Sequence, residues 1–256
     1  MDLLRPSRRR TLLSEAVYVL LNIAMAMVIL GVVLAINNPF PAFGLILLSK
    51  WRVLAVRPQY WAAHIIANAI DLILGFSFVI FLYAASGTLA LQIVLTMLYI
   101  GWLLILKPSS KRQWVVLQAA IGVFFGTSAL MYVSYGWWAS VTVIGMWTIG
   151  YAAARHVLTA YKEPHFALLS LIWALVMAEI GWMTYHWNFA YHVLGAGKLQ
   201  LSQAAVIVML LSFLAERSYS SYHRHKIVKF SEVLLPLLLT VSSIGLLLTI
   251  FNTISV

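Results

Sequence analysis

Residues 72–106 read LILGFSFVIFLYAASGTLALQIVLTMLYIGWLLIL and contain no Asp, Glu, Lys or Arg. A helix needs about 20 apolar residues to cross a bilayer, so this stretch can supply two crossings joined at Ser86-Gly87-Thr88. Three further stretches also lack these charged residues: Ala16 to Ser49, Gln113 to Ala154, and Val233 to Val256. The pattern predicts an all-α integral membrane protein, folded as a polytopic helical bundle.

The composition excludes a water-soluble domain. Hydrophobic residues make up 63% of the chain and charged residues 9%, whereas soluble domains contain about 25% charged residues. The net charge of +10 does not indicate nucleic acid, because Lys and Arg lie in short links between apolar runs. We expect these links to contact anionic lipid head groups at the cytoplasmic face, and the lipid bilayer to be the partner.

The 17 Lys and Arg residues orient the chain, because cytoplasmic links are enriched in them. If Ala16–Ser49 crosses the membrane once, the best division is 12 inside and 5 outside. If it crosses twice, 16 lie inside and Lys198 alone lies outside. We therefore predict nine crossings, with eight as the alternative, a cytoplasmic N-terminus and an outer C-terminus.

The whole chain, 1–256, is predicted to be a single transmembrane helical domain. It consists of a basic cytoplasmic tail (1–15), an N-terminal hairpin (16–49) and the remaining helical bundle (58–256). The first apolar run is too long for a cleaved signal peptide, so we expect a retained anchor. The predicted spans are Ala16–Ile36, Pro39–Val56, Trp61–Ala85, Leu89–Leu106, Trp114–Val133, Ala139–Tyr161, Phe166–Tyr185, Gln203–Tyr219 and Val233–Phe251.

The second limb of the hairpin is predicted to be short. The cluster Asn37-Asn38-Pro39-Phe40-Pro41 is typical of a helix end followed by a turn. The apolar part of the returning limb stops near Leu48, so Lys50 is expected to snorkel to the cytoplasmic face. The limb either spans the membrane fully or is re-entrant.

Asp71 is one of two carboxylates predicted to lie inside a span, at about 13 Å from its inner end. An ionised carboxylate facing lipid costs at least about 2.5 kcal/mol, so Asp71 should face the bundle interior. His64, Asn68 and Asp71 share one face of a continuous helix. They either line a polar path or form interhelical hydrogen bonds that set the packing.

Arg155 lies late in the sixth predicted span, within the motif Gly150-Tyr-Ala-Ala-Ala-Arg-His156. Its long side chain can reach the level of Asp71, and an ion pair between the two would explain how the chain tolerates both. The alternative is that Arg155 snorkels to a head-group phosphate.

Glu179 is the second intramembrane carboxylate and shares a helix face with His186, seven residues later. Both can titrate near neutral pH if they are enclosed, so a proton-coupled outer cluster is one interpretation. The other is an aromatic belt formed by Trp182, Tyr185 and Trp187 at the membrane interface.

The remaining carboxylates predict contacts rather than chemistry. Glu15, Glu163, Glu216 and Glu232 lie at predicted inner helix ends beside Lys or Arg, where they cap helices or pair with cations. The inner loop 216–232 is a candidate contact for lipid head groups. Gly122 and Gly126 form a GxxxG pattern that predicts close helix packing in the fifth span.

Common catalytic signatures are absent from the sequence. It contains no Walker loop, no HExxH motif, no Asp-rich diphosphate motif and no GxSxG elbow. We therefore expect no cofactor and no metal site, and the sequence favours a non-enzymatic function over a catalytic one.

Several segments resemble an uncharacterised family of multi-pass bacterial membrane proteins with no assigned activity. They are Leu48-Ser-Lys-Trp-Arg52, Val56-Arg-Pro-Gln-Tyr-Trp61 with Ala67-Asn68-Ala-Ile-Asp71, the motif Gly150 to His156, and Tyr185-His-Trp187. The resemblance implies a bacterial cell (inner) membrane and no mechanism.

Three functions follow as hypotheses. The leading one is a transport or channel-like protein, or one that binds a small or lipidic ligand, through a polar path past Asn68, Asp71 and Arg155. The second is a non-catalytic scaffold or assembly subunit, and the third a lipid-modifying enzyme. A hydrated cavity at Asp71 favours the first, a fully paired Asp71 the second, and a lateral groove with His and carboxylate the third.

Reporter fusions or cysteine accessibility will test the predicted topology. The N-terminus and four basic loops should be cytoplasmic and two positions outside; the loops are those at Lys50, Lys107, Lys162 and Lys226, and the outer positions are Lys198 and Val256. Labelling of the N-terminal tail from outside would overturn the hairpin.

Overall fold

A computed structural model describes residues 12–51, 57–134, 136–186, 190–192 and 199–250. This part of the chain contains ten α-helices and one pair of short antiparallel strands. In chain order they are α1 (Leu12–Ala35), α2 (Phe40–Ser49), α3 (Trp61–Ala67), α4 (Ala69–Ala84), α5 (Leu89–Gly101), α6 (Arg112–Ser134), α7 (Ala139–Ala160), α8 (Phe166–His186), β1 (Ala190–His192), β2 (Gln200–Ser202), α9 (Gln203–His225) and α10 (Phe230–Thr249). The N-terminal tail up to residue 11, and Lys198, lie outside the described residues.

The links between helices gather at two opposite ends of the bundle. At one end the ammonium groups of Lys50 and Lys107 both contact Asp71, and the Arg112 guanidinium lies 4.8 Å from the ring centre of Tyr161. We call this the basic end. The predicted inner links at Lys50, Lys107 and Lys162 thus lie together in the fold.

The opposite end is tied by tyrosine hydroxyls. Tyr83 donates to the carbonyl oxygens of Ile36 and Asn38, at 2.9 and 2.5 Å. Tyr185 donates to the carbonyl oxygen of Trp137. Successive long segments therefore run in alternating directions between the two ends.

The helices have the length and composition of a membrane protein, but the count of nine spans is not confirmed. In the described part of the chain, six helices are long and apolar enough to cross a membrane, or seven spans result if a bent pair counts as one. Helix α2 has ten residues, about 15 Å, which is half of a bilayer core of about 30 Å. Helix α7 is 22 residues long, but Arg155 and His156 make it less apolar.

The prediction of one continuous helix over Trp61–Ala85 is wrong. The chain breaks at Asn68, and the segment Pro58–Ala67 is bent by 68° from Ala69–Ala84. Asn68 ends α3, and its side-chain Nδ2 donates to the carbonyl oxygen of His64 at 2.9 Å. An Asn amide competes with the backbone ladder in this way, which accounts for a helix end within an otherwise apolar run.

The GxxxG pattern in α6 packs inside the bundle, against α4. A Cβ added at Gly122 would lie 3.1 Å from Ile70 Cγ2, and one added at Gly126 would lie 2.6 Å from Ile73 Cγ2. The predicted close packing of this helix is confirmed, and the two glycines are what allow the helix surfaces to meet.

The central pair α7 and α8 is packed by the same means. A Cβ added at Gly150 would lie 2.6 Å from Met177 Cγ, and one added at Gly181 would lie 2.8 Å from Met146 Cγ. Met146 and Met177 are both fully buried. The pair α7 and α8 forms the most closely packed part of the bundle, and neighbouring side chains pack against it.

Gly126→Ala should lower stability by about 1–3 kcal/mol, because the added methyl meets Ile73, whose β-branched side chain cannot rotate away cheaply. Gly245→Ala in α10 is the matched control, since a Cβ there has nothing within 4 Å. It should be neutral, or stabilising by up to about 1 kcal/mol through helix propensity. Thermal unfolding in detergent measures both, and equal effects would contradict the packing.

Candidate functional site

Asp71 lies at the centre of a buried ion cluster. Its Oδ2 contacts Lys50 Nζ and lies 2.9 Å from Lys107 Nζ, while its Oδ1 accepts a hydrogen bond from Trp102 Nε1 at 3.2 Å. The Asp71 residue is 8% exposed. We call Asp71, Lys50, Lys107 and Trp102 the Asp71 cluster. Both carboxylate oxygens are occupied, so the cluster is a paired arrangement and not an open path.

Local backbone geometry brings these groups together. The break at Asn68 places Asp71 in the first turn of α4, where the helix dipole favours a negative charge. Helix α5 continues into one π-helical turn, Trp102–Leu106, which ends at Lys107. Such a turn realigns the side chains at the end of a helix, so the indole and the ammonium group both reach the carboxylate.

Within the basic end, the Asp71 carboxylate lies deeper than Arg112. Ile70 packs on Gly122, which is ten residues, or about 15 Å, along α6 from Arg112. At that depth a carboxylate needs an opposite charge, and long Lys side chains can supply it. Lys50 therefore turns inward to Asp71, which corrects the expectation that it snorkels outward.

The predicted ion pair between Asp71 and Arg155 does not form. Arg155 Nη1 donates to the Tyr151 hydroxyl at 2.7 Å, and its guanidinium carbon lies 4.9 Å from the ring centre of Phe166. The lysines already satisfy Asp71, and the Tyr151 hydroxyl with the Phe166 ring holds Arg155 on another side of α7. The structure places Asn68 at the helix break, three residues before Asp71, with its side chain bonded to His64.

Glu179 and His186 both lie on the exposed side of α8. The His186 ring contacts the rings of Trp182 and Tyr185, at 5.2 and 5.3 Å between centres. This agrees with the aromatic-belt interpretation. Among the described residues, none encloses these two exposed side chains in the cavity that a proton-coupled cluster requires.

A second site, which the sequence analysis did not identify, lies between α6, α7, α8 and α9. It is a partly open apolar cavity of about 200 Å³. Helix α9 packs along α6 and α10 and barely contacts α8, so a cleft remains between α8 and α9. Small side chains leave the space open, namely Ala119, Ala120, Ala153, Ala154 and Ala215. We call it the lateral cavity.

The lateral cavity borders a polar pocket at the basic end, of about 400 Å³. Val116 and Glu216 line both spaces. Three guanidinium groups line the polar pocket, from Arg112, Arg217 and Arg224, with Glu216 as the one carboxylate. We call this the arginine pocket. Its lining has an excess of positive charge.

Each arginine is held in place by a neighbour. Arg112 lies over the ring of Tyr161, Arg217 lies 5.3 Å from the ring centre of Phe213, and Arg224 pairs with Glu232 at 3.0 Å. The last contact confirms that Glu232 pairs with a cation at a helix end. Planar guanidinium groups in such settings bind phosphate or carboxylate through paired hydrogen bonds.

Two tyrosine–carboxylate hydrogen bonds fasten α9 to the link between α7 and α8. Tyr161 donates to Glu216 Oε1 at 2.7 Å, and Tyr219 donates to Glu163 Oε2. The hydrogen bond from Tyr219 holds the pKa of the exposed Glu163 carboxyl below its usual range. Of the two bonds, the one between Tyr161 and Glu216 joins residues that line the arginine pocket.

One polar atom in the wall of the lateral cavity has no partner. The Ser212 hydroxyl is buried, and no group in the described part of the chain hydrogen-bonds to it. Ser212, Glu216 and Ser220 are spaced four residues apart, so they form one polar stripe along α9. That spacing was the signal in the sequence that could have identified the site.

The described residues hold no group of three His, Asp or Glu side chains placed to bind a metal ion. Comparisons with protein-family models, curated proteins and solved structures found no match to this chain. The resemblance to a bacterial membrane protein family stays a prediction. The proposed function therefore rests on the geometry of the site.

A double-mutant cycle will test the Asp71 cluster. Asp71→Asn should lower stability by about 3 kcal/mol, because it leaves two recessed ammonium groups without their counter-charge. Adding Lys50→Met should recover part of that loss, with a coupling energy of at least about 1 kcal/mol.

The matched control is Arg155→Leu, whose effect should add to that of Asp71→Asn within about 0.5 kcal/mol. Thermal unfolding of the five variants, three single and two double, and of the wild type in detergent gives both couplings. A larger coupling of Asp71 to Arg155 than to Lys50 would contradict the structure.

Proposed function

We propose that this protein is a membrane protein that binds an anionic amphiphile, with the alkyl chain in the lateral cavity and the anionic head group in the arginine pocket. The observation that carries the proposal is the shared wall of the two spaces, formed by Val116 and Glu216. An apolar cavity that shares lining residues with a cluster of guanidinium groups is complementary to a molecule with a chain at one end and a negative charge at the other.

The cleft between α8 and α9 supports entry from within the bilayer. A ligand that enters sideways keeps its chain in hydrocarbon and its head group at the membrane surface throughout. The positive-inside rule places the arginine pocket at the cytoplasmic surface, where anionic lipids raise the local supply of such ligands.

The arginine pocket supports a phosphate head group. Arg112 and Arg217 present planar donors from α6 and α9, two helices that face each other across the pocket. Arg224 pairs with Glu232, and the carboxylate partly offsets the attraction of this guanidinium group for an anionic ligand. Two to three guanidinium groups match the several oxygens of a phosphate better than the two of a carboxylate.

The contacts of the Asp71 cluster support a structural role for Asp71, where the sequence had favoured a polar path. Its carboxylate is buried and has donors on both oxygens. We therefore keep the hypothesis that the protein binds a ligand. The proposed binding site lies between α6 and α9, and not along Asn68, Asp71 and Arg155.

Fluorescence quenching will test the proposal, because Trp173 lines the lateral cavity. Dodecyl phosphate brominated on its chain should quench tryptophan fluorescence saturably, and Trp173→Phe should remove the saturable part. Arg112→Gln and Arg217→Gln should each weaken binding about tenfold or more, through loss of hydrogen bonds to a charged group. Ala153→Leu should block the chain.

Lys111→Gln is the matched control, since Lys111 is exposed beside Arg112 and does not line the arginine pocket. It should leave the affinity within about twofold, as expected of a screened surface charge. Brominated dodecyl maltoside is the neutral control probe. The proposal fails if this neutral probe binds as tightly as the phosphate, or if Trp173→Phe leaves the quenching curve unchanged.

A further inference from the structure

Glu216 lies at the point where an amphiphile must pass from chain to head group. It lines both the lateral cavity and the arginine pocket, and its side chain is 12% exposed. A purely anionic ligand would gain nothing from a carboxylate at this point, because like charges repel. The position of Glu216 therefore indicates which kind of polar group the ligand has between its chain and its head group.

The Glu216 carboxylate has acceptor capacity left over. Its Oε1 accepts from the Tyr161 hydroxyl at 2.7 Å, while Arg217 Nε lies 3.7 Å from Oε2, beyond hydrogen-bond distance. An ionised carboxylate offers about four acceptor positions. A ligand that covers this side chain without donating to it would leave acceptors buried and unsatisfied, which weakens binding.

The hydroxyl of Ser212 lies one turn deeper, toward the apolar part of the cavity. It is buried and without a partner in the described part of the chain, and its oxygen has almost no surface open to the cavity, so it reaches an acceptor on the ligand by rotation about the Cα–Cβ bond. Ser212 and Glu216 are four residues apart on α9, about 6 Å along the axis. The wall thus presents a donor, then an anionic acceptor, then guanidinium groups.

The size of the lateral cavity points to one chain. Its volume is about 200 Å³, whereas an engineered apolar cavity of about 150 Å³ holds a single benzene. There is room for one alkyl segment beside Phe213 and Trp173, and not for two side by side.

We infer that the ligand is a lysophospholipid: one acyl chain, an ester, a free hydroxyl and a phosphate, in that order. The chain fills the lateral cavity, the ester carbonyl accepts from Ser212, the free hydroxyl donates to Glu216, and the phosphate binds Arg112 and Arg217. This assignment rests on the proposed binding of an anionic amphiphile and adds that Glu216 selects for the hydroxyl.

Two probes that differ in one group will test the inference on the full chain in detergent. The first is 1-dodecanoyl lysophosphatidic acid, and the second is 1-dodecanoyl-propanediol-3-phosphate, which lacks only the hydroxyl. Each displaces brominated dodecyl phosphate from Trp173, so recovery of fluorescence reports its affinity. The hydroxyl should improve affinity at least about tenfold, as a hydrogen bond to a charged acceptor does.

Glu216→Ala should reduce this preference to within about twofold. Glu216→Gln keeps the shape with a neutral acceptor, so it should give an intermediate preference and serves if the alanine variant does not fold. Glu163→Ala is the matched control, because Glu163 also accepts from a tyrosine, Tyr219, but lines neither space. It should keep the full preference.

The outcomes separate the two proposals. If brominated dodecyl phosphate itself does not quench saturably, the proposed function fails. If it does and neither probe displaces it, the lysophospholipid assignment fails. If both displace it equally well in the wild type, only the selection for a hydroxyl fails. A preference that persists unchanged in both Glu216 variants overturns the role of Glu216. Equal binding of the two-chain phosphatidic acid overturns the single-chain assignment.

Discussion

The carboxylate of Asp71 holds three separate parts of the chain at one point. Lys50 ends the short α2, Lys107 follows the π-helical turn after α5, and Asp71 begins α4. Both lysines reach the same carboxylate oxygen of Asp71, and Trp102 donates to the other. Without Asp71, Lys50 and Lys107 would lie together in a partly buried position with no counter-charge. The arrangement of the N-terminal half therefore depends on this residue.

The other half of the bundle depends on the size of side chains. Where glycine faces methionine, as at Gly150 and Gly181, α7 and α8 meet closely. Where alanine faces alanine, as at Ala119 and Ala153, the walls stay apart and the lateral cavity forms. Both features occur on α7 within a few residues, so one helix supplies a rigid seam on one side and an open space on another.

The sequence predicted the helical class and most helix limits, because long uncharged runs have few other structures available to them. It predicted α6, α8 and α9 to within a few residues at their starts. It missed the break at Asn68, since one amide in an apolar run carries little signal. It also predicted that Asp71 needed a cation and chose the wrong one, because depth along a helix does not reveal which neighbours face it.

The site itself was harder to predict. Arg112, Arg217 and Arg224 were counted only as topology signals, since each follows the ordinary rule for cytoplasmic links. Glu216 was expected to cap a helix or pair with a cation, and the structure places it 3.7 Å from Arg217 Nε and adds a hydrogen bond from Tyr161 that was not predicted. What could not be seen is that α9 stands away from α8, because a gap between helices is a property of packing and leaves no residue of its own in the sequence.

The lateral position of the cleft changes the meaning of its apolar lining. Membrane hydrocarbon is as apolar as leucine or alanine, so a chain that slides from lipid into the cavity gains almost no hydrophobic free energy. The fit of the chain can exclude molecules, but it cannot attract them. Preference among membrane lipids would then be decided by a few polar atoms at one depth, and lipids that differ only in tail saturation would compete nearly as equals.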